Sequence, residues 1–347
     1  MSVKIGIIGA GNIGSTHAGS YQKCPNAKIT AVCDIDFEKA KSFAARFNIP
    51  NAYASYDEML AAEELDGVSV CTWNSAHKDA TIASLKAGVN VLCEKPMAMN
   101  RFEAMEMEKV ANETGKLLMI GFVRRFSSDT YTIKKFIDGG SVGDIYYIKA
   151  AYLRRNGCPG GWFGDMRYSG GGPLIDLGVH VMDISRYFAG CPKPVSAYGY
   201  SYNNLGPNRA IGYTPDPNAQ FKNDVEDFSG GIIKFDNGMT LSMEASFNMN
   251  IKSDSQVMEI HGTKGGINLH PSLQLFTQMN GMYVDVAPSN GNYNPVGWLF
   301  DEEMNHFVAC ISEGIECKSP ARDGVILMEI IDAIYESAKT NKLVEIK

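Results

Sequence analysis

A chain of 347 residues, 45% hydrophobic and 20% charged, is longer than one hydrophobic core usually supports, so two domains are expected. No tract approaches the roughly 20 apolar residues of a membrane span. A net charge of −7, with no basic run longer than a pair, argues against a nucleic-acid surface and leaves small molecules as the better partners.

The start, Met1-Ser2-Val3-Lys4-Ile5, runs directly into a strand-like pattern without the charged, apolar and small-residue regions of a leader, so a cytoplasmic location is expected. The eight cysteines lie scattered without a Cys-x-x-C or clustered histidines, which predicts free thiols and no metal site.

Up to about residue 122, short β-branched runs alternate with amphipathic stretches, which specifies a parallel, doubly wound sheet. The first strand leads into Gly9-Ala10-Gly11-Asn12-Ile13-Gly14 at the head of a helix over 12–22. Gly9 permits a tight turn, Gly11 lets backbone approach a pyrophosphate, and Gly14 allows close helix packing. The free N–H groups at the helix start, with Asn12 and Ile13, attract phosphates. A glycine-rich turn without a ligand is the plainer alternative.

A second strand over 28–34 ends at Asp34, twenty residues after Gly14, where an acid accepts hydrogen bonds from ribose hydroxyls. Its neighbours Ile35 and Asp36 offer no cation for a 2′-phosphate, and Asp36 would repel one, so NAD is favoured over NADP. A helix over 36–47 follows. The strand over 67–72 ends at Thr72-Trp73-Asn74, with His77 opening a helix over 77–87. Ligands bind beyond the carboxyl ends of such strands, so these residues should rim the dinucleotide. His77 alone also reads as a helix-start residue satisfied by backbone.

The strand over 90–94 delivers Glu94-Lys95-Pro96 to the same rim, where a Lys95 ammonium would stabilise charge developing on a substrate oxygen. Read alone, such a lysine is more often a surface charge. A helix over 101–114 and a strand over 116–122 complete this region. Glu94, Lys95 and Arg124, just past the last strand, are counted with the cofactor contacts.

From Ile145 the texture becomes strand-rich, with runs near 145–153, 195–202, 228–235, 239–247, 256–261 and 272–277. Asp236-Asn237-Gly238 predicts a hairpin through a type I′ turn, and a mainly antiparallel second sheet follows. Residues 157–172 hold seven glycines with Trp162, Phe163, Arg167 and Tyr168, a composition able to wrap over a ligand. Trp162 and Arg155 are substrate-pocket candidates, although a flexible loop fits as well. Asp176 and His180, four apart, project from one face of a helix, where a neutral imidazole can take a hydroxyl proton beside an orienting carboxylate. A carboxylate favoured by the helix dipole plus a core histidine explains that pair equally. Helices over 299–313 and 324–340 and a strand over 343–346 close the chain.

Taken together, the Gly9 to Gly14 loop, Thr72-Trp73-Asn74-Ser75-Ala76-His77, Glu94-Lys95-Pro96, the run from Gly171 to His180 and the ending Tyr335-Glu336-Ser337-Ala338 resemble the glucose-fructose oxidoreductase and inositol dehydrogenase family, Gfo/Idh/MocA. The resemblance spans the chain. It implies an N-terminal Rossmann domain over 1–122 and a C-terminal α/β domain over 123–347 with a large open, mainly antiparallel sheet. That sheet would serve in a homo-oligomer, dimer or tetramer, and helix 324–340 would pack back near the first domain. Lys95, Asp176 and His180 would form the catalytic group, and Lys95, Arg155, Trp162, Asp176 and His180 would meet a sugar or cyclitol. Trp73 departs from the proline more usual there.

The preferred reading is an NAD-dependent carbohydrate or cyclitol dehydrogenase. An NAD-retaining glycosidase acting by transient oxidation and elimination, and a non-catalytic NAD-binding protein, are the alternatives.

Overall fold

The computed structural model describes residues 2–206, 221–287 and 297–347. The first elements in chain order are β1 (Val3–Ile8), α1 (Asn12–Tyr21), β2 (Ala27–Cys33), α2 (Phe37–Phe47), β3 (Asn51–Tyr53), α3 (Tyr56–Ala62), β4 (Gly67–Val70), α4 (His77–Lys86), β5 (Asn90–Glu94), α5 (Arg101–Thr114) and β6 (Leu118–Gly121). The six strands make one parallel sheet in the order β3-β2-β1-β4-β5-β6, which is that of a Rossmann fold. Helices cover both faces of such a sheet, so its strands read as apolar runs rather than alternations: every residue of β4 and β6 is buried. Local signals set the helix ends. The Asp36 side chain accepts Lys39 N–H at the start of α2, Asn100 accepts two N–H groups at the start of α5, and Gly115 turns left-handed after it.

The chain continues through α6 (Ser128–Asp138), β7 (Ile145–Leu153), α7 (Met166–Ser169), α8 (Val179–Phe188), β8 (Pro194–Tyr202), β9 (Phe228–Phe235), β10 (Thr240–Ser246), β11 (Ser255–Gly262), β12 (Gly265–Asn268), β13 (Gln274–Met279), β14 (Met282–Val286), α9 (Leu299–Glu313), α10 (Ala321–Thr340) and β15 (Val344–Glu345). The second sheet has nine strands in the order β14-β13-β12-β11-β7-β10-β9-β8-β15, antiparallel except where β7 lies beside β10. Its register puts Ala197, Ile233, Leu241, Ile148, Ile260, Ile267 and Leu275 in one row across seven strands, all buried, on the face that carries α8. The adjacent row on the other face, Tyr198, Ile232, Ser242, Lys149 and Glu259, is polar or exposed, with Tyr198 at 43% and Ile232 at 48%.

One hairpin differs from the sequence expectation. At Asp236-Asn237-Gly238 only Gly238 has positive φ (85°), and its N–H donates to Phe235 O. This is a type I turn followed by a left-handed glycine, not type I′. The type I′ pattern falls instead at Asn280-Gly281 (φ 53° and 78°), joining β13 to β14.

The domain limits differ as well. The chain forms two compact units, 1–126 with 296–325, and 127–295 with 326–347. Most of the last long helix falls in the second unit, where Ile334 lies against Gly199, while its first turn stays with the first, Gly324 against Met97 and Ile120. It is α9 that completes the first core, with Phe307 and Ile311 against Gly67 and Met304, Phe307 and Val308 in the cluster of Ile5, Ile7 and Val32. Among the described residues no helix is long and apolar enough to cross a membrane.

Candidate active site

In the first unit β1 ends at Gly9, whose φ of 103° turns the chain sharply. A Cβ on Gly9 would sit 2.6 Å from Cys71 O, and one on Gly14 only 2.2 Å from Gly9 O. Loop and helix can therefore close only with glycine at both positions. Gly11, the residue before α1, has nothing within 4 Å of its Cβ position, which leaves its backbone open to a ligand. Strand, cramped turn, open glycine and helix N-terminus are the parts that hold a dinucleotide pyrophosphate, so this segment fits the cofactor.

Asp34 follows β2 and holds the loop. Its Oδ2 accepts Ala10 N–H at 2.9 Å and its Oδ1 accepts Asp36 N–H at 3.0 Å. Lys39 Nζ stands 3.3 Å from Oδ2, a cation that inspection of positions 35 and 36 does not find, because the first turn of α2 carries it back. The Thr72 to His77 rim forms at the end of β4. Half-buried Trp73 precedes a turn at Asn74–Ala76, and Asn74 is buried. His77 is buried between two carbonyls, with Nδ1 2.8 Å from Pro96 O and Nε2 3.3 Å from Thr72 O. Burial pushes its imidazolium down; a neutral ring has a single N–H, and Pro96 O is the nearer acceptor for it.

At the end of β5, Glu94 and Lys95 part company. Lys95 is half-buried, whereas Glu94 turns inward, its Oε1 2.9 Å from His17 Nε2 and its Oε2 accepting Lys95 N–H at 3.1 Å. Burial raises the Glu94 pKa, but the hydrogen bond and charge of His17, with Lys95, outweigh it and bring the net direction down. Both Glu94 oxygens thus face the protein, and His17 is the partner that sequence reasoning missed. Arg124 lies half-buried on the turn Val123–Phe126. Its neighbour Arg125 is buried, 2.8 Å from Asp323.

In the second unit Asp176 and His180 are four apart, as the sequence predicts, but the turn between them is wider than an α-helical one. Leu174–Gly178 is a π-helical turn in which Val179 N–H reaches back to Leu174 O, and α8 continues from it. Such widened turns often sit at functional sites. Asp176 is buried and His180 half-buried. Glu226 clamps the start of this turn: Oε2 accepts Gly172 N–H at 2.9 Å, and Oε1 accepts Leu174 N–H at 3.2 Å and the Tyr335 hydroxyl at 2.8 Å. Burial pushes the Glu226 carboxyl up. Gly171 and Gly172 permit the approach, since a Cβ on Gly171 would lie 2.1 Å from Tyr335 Oη and one on Gly172 2.3 Å from Glu226 O. Neither Glu226 nor Tyr335 is legible as a site residue, because each acts more than 50 residues away in sequence.

The glycine-rich segment is clamped rather than loose. Asp165, wholly buried, caps α7, pairs with Arg167 Nη2 at 2.6 Å and accepts Lys222 N–H at 2.9 Å. Burial pushes the Cys158 thiol in this segment up to about 11, with the backbone of Gly160 opposing the rise. Trp162 stacks on Phe163 with centroids 3.9 Å apart. Arg155 is exposed, its guanidinium donating to Lys252 O at 3.0 Å. It is Arg154, not Arg155, that lines a hollow of about 490 Å³ with Tyr152, Gly157, Asp254, Ser255 and Gln256.

All eight cysteines are unbridged. They are not all isolated from histidine as the sequence suggests: His306, Cys310 and Cys317 bring their side-chain donor atoms within 4.8 Å of one another.

Known proteins share this arrangement. Residues 3–122 match the description "Oxidoreductase family, NAD-binding Rossmann fold", and residues 130–268 match "GFO/IDH/MocA C-terminal domain". A D-glucoside 3-dehydrogenase of Escherichia coli is 34% identical, across 99% of this chain and 97% of its own length. An inositol 2-dehydrogenase of Rhizobium meliloti is 25% identical over the full length of both chains. A solved levoglucosan dehydrogenase in complex with NADH and L-sorbose superposes with a TM-score of 0.88 at 25% identity, covering all of both chains. With both halves matched in order and a 34%-identical relative aligned over nearly the whole chain, the chain belongs to the Gfo/Idh/MocA oxidoreductase family.

Proposed function

We propose that this protein is an NAD-dependent dehydrogenase that oxidises a secondary hydroxyl of a sugar, glycoside or cyclitol, or reduces the matching ketone. The observation that carries the reading is the Asp176 to His180 turn, a buried carboxylate and a half-buried imidazole on one widened helical turn held from behind by Glu226. His180 takes the hydroxyl proton, Lys95 stabilises the resulting oxyanion, and Asp176 orients the hydroxyl. Gly9, Gly11, Gly14 and Asp34 would hold the dinucleotide, which supplies the hydride acceptor when bound. Asp34 supports NAD over NADP because its carboxylate repels a 2′-phosphate. Lys39, 3.3 Å from it, is the one cation found beside it among the described residues that could soften that preference.

The name of the 34%-identical relative favours glucosides among possible substrates. Eight unbridged cysteines support a cytoplasmic setting, and the exposed face of the nine-stranded sheet supports a homo-oligomer.

Alkyl glucosides, free sugars, inositols and levoglucosan, each with NAD and with NADP and followed by nicotinamide absorbance, test the reading. Turnover with a glucoside and NAD is expected. Lys95→Ala should lower turnover by on the order of 10², and His180→Ala by about 10² to 10⁴ with loss of the acidic limb of the pH profile for alcohol oxidation. Release of the aglycone without net reduced cofactor, or near-normal rates in both variants, would overturn it.

A further inference from the structure

On α9, His306 and Cys310 are four apart and so share one helical face, with His306 Nε2 3.5 Å from Cys310 Sγ. The helix ends at Gly314, whose φ of 69° reverses the chain. Cys317 is thereby folded back onto the last turn, and all three donor atoms lie within 4.8 Å of one another. The Lys318 N–H donates to His306 Nε2 at 2.9 Å. A backbone amide can only donate, so this nitrogen is the unprotonated, accepting side of the ring. Both cysteines are half-buried, within reach of a small solute, while His306 is buried against Phe126 with centroids 5.3 Å apart.

We propose that Cys310 and Cys317 form a reversible dithiol–disulfide couple, a modification site for hydrogen peroxide on the cofactor-binding unit. Cys310 yields its proton to solvent, and the thiolate, with Lys318 nearby, attacks a peroxide oxygen. An S–O bond forms, the O–O bond breaks, and the leaving hydroxide takes a proton to become water. The Cys317 sulfur then attacks the sulfenic sulfur, an S–S bond forms, and a second water departs. Two thiols are oxidised by one hydroperoxide. Selectivity has a physical basis. The Cys317 hydrogen bond, with Lys318 nearby, lowers the Cys310 pKa, whereas burial holds Cys33 and Cys93 up at about 12 and Cys158 at about 11. The couple also sits where its state is felt. Ser319 O accepts Ile120 N–H at 2.8 Å and Pro320 bridges Met119, so the segment after Cys317 continues the edge of the first sheet beyond β6.

The test uses the full-length reduced protein, treated with hydrogen peroxide and read by intact mass and peptide mapping after alkylation. The expected result is loss of two hydrogen masses, a Cys310–Cys317 cross-link and full reversal by dithiothreitol. Cys310 should alkylate on the order of tenfold faster than any buried cysteine. Cys317→Ser should stop at a sulfenic acid that dimedone traps on Cys310. Two results would overturn the proposal: both thiols remaining alkylable after the other half-buried cysteines are oxidised, or one equivalent of zinc shielding them until a chelator is added, which would make the cluster a metal site. The wild-type mapping needs no variant, so a Cys317→Ser protein that failed to fold would leave the test decisive.

Discussion

Asp165 receives four donors, the backbone N–H of Arg167, the Arg167 Nε and Nη2, and Lys222 N–H, while wholly shielded from solvent. The Arg167 hydrogen bonds hold its carboxyl well below the usual carboxylate range. A folded-state pKa below the unfolded value contributes stability that is present above the unfolded pKa and lost as pH falls toward the folded one. Asp165→Asn should therefore lower Tm most near neutral pH, and its gap from wild type should shrink as pH drops below about 4. Thermal melts across that range check this, and a gap constant with pH would reject the pairing. At this scale residue identity was legible and partnership was not. The acid at Asp34 and the lysine at Lys95 followed from strand ends, whereas His17 against Glu94 and Lys39 against Asp34 required the fold to bring them together.

Elements carry their own constraints. Gly171 reads as part of a flexible run, yet its missing Cβ is the space occupied by Tyr335 Oη. Gly171→Ala should destabilise the protein by about 1–3 kcal/mol through overpacking. Adding Tyr335→Phe should recover part of that loss, a non-additivity expected of residues in contact. Urea titration of both singles and the double gives the coupling, and strict additivity would deny that the hydroxyl is the obstacle. The helices and long strands of the first unit were readable because period and caps agree there. The three-residue β3 and short α3 leave no mark in the sequence, because neither is long enough to show a period. The Asn237 hairpin was located correctly but assigned the wrong turn, since Asn-Gly serves both a type I′ turn and a type I turn with a following left-handed glycine. The His306, Cys310 and Cys317 cluster escaped notice because it depends on the reversal at Gly314 rather than on a recognisable spacing.

At the scale of the molecule, the second sheet packs helix on one face and leaves Tyr198 and Ile232 exposed on the other, with Val195 and Tyr202 exposed on the same edge-ward strands. A sheet with apolar side chains left open calls for a cover. Light scattering after size exclusion should give a dimer or tetramer, and Ile232→Lys should shift it toward smaller species. A wild-type monomer at micromolar concentration would reject the expectation. The alternating pattern up to about residue 122 and the strand-rich texture from Ile145 mark two kinds of sheet in the sequence. The return of 296–325 to the first unit was not legible, because a helix's sequence shows that one face is apolar but not which surface it will meet.

That return has a consequence for how the protein is made. The core of the first unit holds Met304, Phe307 and Val308 beside Ile5 and Ile7, so its hydrophobic centre cannot close until α9 has been synthesised. A ribosome building this chain must first deliver all of residues 127–295, most of another folding unit, while the nucleotide-binding sheet waits unfinished. The N-terminal portion cut at residue 126 is accordingly an incomplete body, and an independently folding version has to join 1–126 to 296–325.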